Sequence, residues 1–171
     1  MSGTSGAPSG NLSAASVEHH YAHAADRHYK DGVYLQEGGR LPNADYHFGF
    51  AVECALKSLL LRFTAATVAP KRQGKPPAKA PWVPDPITGK VSHEYGHLPW
   101  VAVDVALLTH GRSAAQMSAA LANLIAFDSW SVDQRYLDGV GVAEADVSQR
   151  RTVAQEILVL HEQALITGRL Q

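Results

Sequence analysis

The sequence predicts an all-α fold, an up-and-down bundle of about five helices, and three observations predict it. Apolar residues recur at helical spacing along most of the chain. No run of strict alternation marks a convincing strand. One segment of helical length is apolar around nearly its whole circumference, as a central buried helix must be. A chain of 171 residues can bury roughly two thirds of its unfolded surface in one core. A single domain over 12–171 is therefore expected, after a flexible tail at 1–11.

The tail, Met1 followed by SGTSGAPSG, lacks the basic start and apolar core of a signal peptide. The first helix is expected from Leu12 to about Gln36, a stretch without proline that carries Val17, Tyr21, Ala24, Ala25, Tyr29 and Val33 close to helical spacing. Gly38, Gly39 and Pro42 then end one helix and open the next, with Pro42 or Asn43 suited to its first turn. The second helix runs to about Phe63 and is the apolar one. Ala44, Phe48, Ala51, Val52, Ala55, Leu56, Leu59, Leu60 and Phe63 cover a broad face, extended by Tyr46, Phe50, Cys54 and Leu61. Glu53 and Lys57 occupy the narrow remaining wedge, one turn apart, where they can pair and are expected at an interface or cleft.

Residues 65–92 hold six of the nine prolines, with Lys71, Arg72, Lys75, Lys79 and Lys90 set against Asp85. This predicts a long, basic, Pro-rich loop between helices two and three. It is either a solvated excursion or a local handle for nucleic acid or a partner protein, and Trp82 in its middle favours some docking. The third helix is expected to begin near Pro99, because the run is apolar at Leu98, Val101, Val105 and Leu108, with His97 at its entry. Gly111 and Arg112 interrupt it. Ser113 can cap a fourth helix, SAAQMSAALANLIAF, with Met117, Leu121, Leu124 and Ile125 apolar. After the turn segment DSWSVDQRYLDGVG, the fifth helix runs from about Ala143 to Thr167 and places Val147, Val153, Ile157, Leu160, Ala164 and Leu165 inward, with Gly168 to end it.

A formal net charge of -1 gives no long-range attraction to nucleic acid or acidic membrane, so any such binding has to be local. The single cysteine, Cys54, excludes an internal disulfide and a Cys-rich zinc site, and fits a reducing cytosol. No apolar run approaches the roughly 20 residues that span a bilayer. A cytoplasmic protein without membrane association is expected.

Two histidine patterns suggest metal. His93, Glu94 and His97 in VSHEYGHLPW have the HExxH spacing of zinc peptidases, where a helix sets both histidines on one face and the glutamate polarises water. Gly89, Ser92, Gly96 and Pro99 surround them, which opposes a helix, and no third ligand follows. In HHYAH, His19 and His23 are one turn apart, but only Glu18 and Asp26 stand near in sequence. Neither pattern is expected to hold a metal, and no cofactor is predicted.

The chain resembles the HEPN family, the all-helical "higher eukaryotes and prokaryotes nucleotide-binding" domain, on several segments in order. YKDGVYLQEGGRLPNA followed by HFGFAVECALKSLL is similar to the family's paired opening helices, with Ala51, Glu53, Leu56 and Lys57 in its A-x-E-x-x-L-K pattern. HLPWVAVDVALL resembles a later helix with a histidine at its opening. WSVDQRY resembles the late turn with an Arg-Tyr pair, so that Trp130, Arg135 and Tyr136 take those positions. The resemblance covers about residues 17 to 167.

That resemblance implies two kinds of function. Many HEPN domains are metal-independent ribonucleases whose site forms across a dimer from an R-x4-6-H element on a late helix, some acting as the toxin of a toxin-antitoxin pair. Here the one arginine and histidine at that spacing are Arg40 and His47, in RLPNADYH at the entry to helix two. No histidine follows Arg135 until His161. Arg40 and His47 are thus a relocated catalytic pair or simply an interhelical loop and a helix-entry histidine. Other HEPN domains are noncatalytic and bind nucleotide, RNA or a partner nucleotidyltransferase, often as homodimers. On that reading Glu53, Lys57, Arg135 and Tyr136 line a polar patch between helices, with Asp133 or Asp138 orienting Arg135. The same residues could instead form a buried network that fixes helix register. A noncatalytic nucleotide- or RNA-binding or interaction module is the leading expectation, a HEPN ribonuclease the alternative, and a zinc hydrolase the remotest.

Overall fold

The structure, a computed structural model, describes residues 14–100, 108 and 114–168. Helix α1 spans Ala14–Glu37 and α2 spans Leu41–Phe63. They form a helical hairpin because Gly39 adopts a φ of 72°, which lets the Arg40 N–H turn back to Leu35 O at 2.8 Å. Pro42 sits in the first turn of α2, where its missing N–H costs nothing. At the other end the Thr64 hydroxyl donates to Leu60 O at 2.6 Å.

Every residue of α2 from Ala51 to Leu60 is buried, as its circumferential apolarity requires. It lies between α1 and the last helix, α4, at Glu144–Thr167. Phe48, Val52, Leu56, Leu59 and Leu60 of α2 share one core with Leu124, Phe127, Trp130 and Ile157, and with Tyr95, Leu98 and Trp100 from the segment before the undescribed stretch. The chain is mostly helical, and no described helix is long and apolar enough to cross a membrane.

The expectation of no strand is corrected within the Pro-rich loop. Strands β1 at Trp82–Pro84 and β2 at Val91–Glu94 pair antiparallel, with Trp82 opposite Glu94 and Val83 opposite His93. The Asp85 carboxylate closes the turn by accepting from the N–H groups of Ile87 and Thr88 at 3.1 and 2.6 Å, and Gly89 follows at a φ of 68°. Trp82 is buried and donates its indole N–H to Ala69 O at 2.9 Å, which ties the strand pair to the start of the loop.

The fourth predicted helix ends early. Helix α3 occupies Ala114–Ala122 and gives way to a 3-10 turn over Asn123–Phe127. A 3-10 turn puts residues three apart on one side, so Leu124 and Phe127 are buried while Ile125, apolar in the same run, is 71 % exposed. Of the third predicted helix, residues 101–107 lie outside the described residues. Pro99 and Trp100, which are described, are not helical, and Leu108 is buried.

Buried polar groups tie the helices together. Ser58 of α2 donates to Glu18 of α1 at 2.9 Å, and His161 Nε2 of α4 lies 2.9 Å from the same hydroxyl. The hydroxyl proton is given to the carboxylate, so His161 has to present Nε2–H to the hydroxyl oxygen. Burial holds its pKa below the ordinary 6.5, with Glu18 opposing. Burial likewise lowers His28 and His47. The unfolded chain then takes up protons near pH 6.5 that the folded chain still refuses. Stability is therefore expected to fall as pH drops from about 7 to about 5. Thermal unfolding followed by circular dichroism should show this, with a shallower decline in His161→Gln.

Candidate functional site

Tyr46, Phe50, Glu53 and Lys57 are spaced four, three and four residues apart and so share one side of α2. Phe50, half-buried, is the hub of this side. Its ring centroid lies 4.7 Å from that of Tyr46, 5.5 Å from Trp130, 6.0 Å from His97 and 5.4 Å from His28.

At the N-terminal end of this side stands Arg135, in a 3-10 turn over Val132–Tyr136 that Ser131 caps by accepting from Asp133 N–H at 3.1 Å. Arg135 donates to the Tyr46 hydroxyl at 3.4 Å, and its guanidinium carbon lies 4.7 Å from the Tyr136 ring centroid. Both Arg135 and Tyr136 are exposed. The bond to Tyr46 raises the arginine's basicity further, so the charge is permanent. Asp138 is turned away to the Val140 N–H. The turn is held in place by Trp130, whose indole N–H donates to Asp45 O at 3.1 Å and whose ring lies against Gly49.

At the C-terminal end Glu53 and Lys57 are 2 % and 4 % exposed. Lys57 donates to Glu53 at 2.7 Å, Leu98 N–H donates to the same carboxylate at 3.1 Å, and His97 Nδ1 lies 3.1 and 3.2 Å from its two oxygens. Three donors satisfy the buried charge. The Lys57 ammonium sits 5.6 Å from the Tyr21 ring and 5.9 Å from the Trp100 ring. The His97 side chain is 53 % exposed, so it stands between buried Glu53 and solvent. Burial, reinforced by the Glu53 charge, pushes the Cys54 thiol up to about 12, which keeps it protonated and without nucleophilic character.

The four patch residues named from the sequence thus divide. Arg135 and Tyr136 face solvent at one end of the α2 side, while Glu53 and Lys57 lie beneath His97 at the other. Arg40 is exposed just before α2, and His47 is half-buried two turns on. His47 Nδ1 lies 3.1 Å from His28 Nδ1 and 4.0 Å from Asp31 Oδ2, both on α1.

His93 and Glu94 lie on β2, where adjacent side chains point to opposite faces, so the single helical face that HExxH needs is absent. Glu94 pairs with Lys71 at 2.5 Å and His97 with Glu53. Among the described residues, the one grouping with ligand-atom spacing is His28, Asp31 and His47. His19, His20 and His23 are exposed on α1.

Sequence reasoning missed the roles of Tyr46, Phe50 and His97. The available signal was Glu53 itself, a carboxylate on a helix that is apolar around most of its circumference, which calls for donors beyond Lys57 from elsewhere in the chain. No family model, no curated protein and no solved structure matches this chain.

Proposed function

We propose that the chain is a HEPN-like helical module that binds nucleotide or single-stranded RNA, without catalysis, on the side of α2 that carries Tyr46 and Phe50. The α1–α2 hairpin supports the HEPN likeness, with Ala51, Glu53, Leu56 and Lys57 of the A-x-E-x-x-L-K pattern on its second helix. The observation that carries the binding function is Arg135, a permanent and exposed cation held between the Tyr46 hydroxyl and the Tyr136 ring. A guanidinium presents a planar donor fork that matches phosphate, and adjoining aromatic rings give bases a surface to stack on. The net charge of -1 makes such a local site necessary. A homodimer belongs to the same reading, and exposed Leu137 and Val140 beside the patch offer it an apolar contact. A partner nucleotidyltransferase is the other interaction the family likeness suggests.

The test is fluorescence anisotropy of a labelled RNA of about ten nucleotides in EDTA, at stated salt. Arg135→Ala is expected to weaken binding about tenfold or more. Equal affinity of the variant, or no wild-type binding at about 100 µM, would contradict the proposal.

One observation favours the ribonuclease as a second reading. His97, with Nδ1 directed at buried Glu53 and its side chain half exposed, has the arrangement of an oriented acid-base histidine. On this reading His97 takes the 2'-hydroxyl proton as that oxygen displaces the 5'-oxygen, which leaves with a proton from water, while Arg135, at the other end of the patch, holds a neighbouring phosphate of the strand. The same RNA, run on a gel, separates the readings. The binding module leaves it intact, whereas a ribonuclease cuts it without metal and loses activity with His97→Ala. Loss with Arg40→Ala or His47→Ala would instead assign catalysis to that pair.

A further inference from the structure

We propose that His28, Asp31 and His47 bind one divalent transition-metal ion of the imidazole-preferring kind, with zinc as the reference, and thereby link α1 to α2. His28 and Asp31 are three residues apart on one face of α1, and His47 comes from the facing turn of α2. The two Nδ1 atoms are 3.1 Å apart, Asp31 Oδ2 is 4.0 Å from His47 Nδ1, and all three donor atoms fall within 4.8 Å of one another. Donors around a tetrahedral zinc with bonds of ~2.05 Å are ~3.3 Å apart, so small side-chain adjustments complete the set.

Two imidazole nitrogens aimed at each other need either a proton between them or a shared cation. Burial keeps both rings in the neutral form that ligates metal. Two neutral nitrogens and one carboxylate favour zinc, nickel or copper over magnesium or calcium, which take oxygen ligands. Asp31 supplies the negative charge that offsets the ion and the opposing Arg27 nearby. The Asp31 side chain is 52 % exposed and that of His47 24 %, so a position remains open to water. The Phe50 ring, 5.4 Å from His28, backs the site with an apolar wall. This sets aside the metal-free expectation from the sequence, in which nothing relates position 47 to positions 28 and 31.

The experiment uses the full chain, stripped with chelator and titrated with Co2+ and then Zn2+. Wild type is expected to take up one equivalent, to show the visible ligand-field band of low-coordinate Co2+, and to melt at higher temperature with zinc. His28→Gln and His47→Gln should each weaken zinc binding about 100-fold and abolish the thermal shift. Asp31→Asn should weaken binding less. His19→Gln and His23→Gln, on the exposed part of α1, should leave it unchanged. Absence of zinc uptake by wild type would overturn the proposal, as would uptake that survives His28→Gln and His47→Gln but is lost with His19→Gln or His23→Gln. Far-UV spectra of each variant confirm folding, and should one misfold, the other ligand variants carry the comparison.

Discussion

Replacing Arg150 by leucine should destabilise the fold by about 3–5 kcal/mol, because it strands a buried carboxylate without its countercharge. Arg150 reaches from α4 to Asp45 of α2, and its other guanidinium nitrogens donate to Ala126 O at 2.8 Å and to Ser129 Oγ at 2.7 Å. Asp45 is fully buried and Arg150 is 4 % exposed. Burial pushes the Asp45 carboxyl above its ordinary range, while the hydrogen bond and charge of Arg150 pull it back. Without Arg150 the upward influence is unopposed, so the folded variant protonates Asp45 more readily. Its deficit against wild type should therefore narrow as pH falls toward about 4. Adding Asp45→Leu should recover most of the loss, since no buried charge remains. Urea denaturation of the three proteins at two pH values checks both statements. Wild-type stability in the single variant would mean that the pair contributes nothing.

Gly49→Ala should cost about 3 kcal/mol, the upper part of the range for overpacking a core. A β-carbon at position 49 would overlap Cε2 and Nε1 of Trp130, a ring only 1 % exposed and unable to withdraw. The mid-helix glycine thus exists for the indole, which it allows to reach Asp45 O. Because Trp130 leads directly into the turn that carries Arg135, the variant should also bind RNA more weakly. A lowered melting temperature together with altered tryptophan fluorescence would report the displacement. An unchanged melting point would show that the indole has room to shift.

Much of the helical frame was legible because its signals are local. The turn at Gly38, Gly39 and Pro42, the all-round apolar α2 and the Gly168 stop each depend on a few adjacent residues. The hairpin was not, since strands of three and four residues carry too little alternation to stand out among prolines. Its turn, Asp85 through Gly89, was the readable signal. Helix α3 follows the apolar pattern only to Ala122, and the change to 3-10 geometry answers to burial of Phe127 against the rest of the core.

The site was harder to read because its partners are distant in sequence. Glu53 and Lys57 are one turn apart, and the spacing that permits their pair is visible in the chain. His97 lies 44 residues beyond Glu53, and Arg150 lies 105 beyond Asp45, separations at which spacing says nothing about contact. His28 and His47 meet only because the hairpin brings α1 against α2. Arg135 could be named from its resemblance to a late Arg-Tyr turn, but its anchor on Tyr46 could not.

NMR shift mapping during titration with short single-stranded RNA shows whether the side of α2 centred on Phe50 is the ligand surface. Shifts are expected at Tyr46, His47, Phe50, His97 and Ser131 to Tyr136, saturating together. Shifts confined to Lys71, Arg72, Lys75 and Lys79 would assign binding to the basic loop instead, and a spectrum unchanged at saturating RNA would contradict RNA binding by this chain altogether.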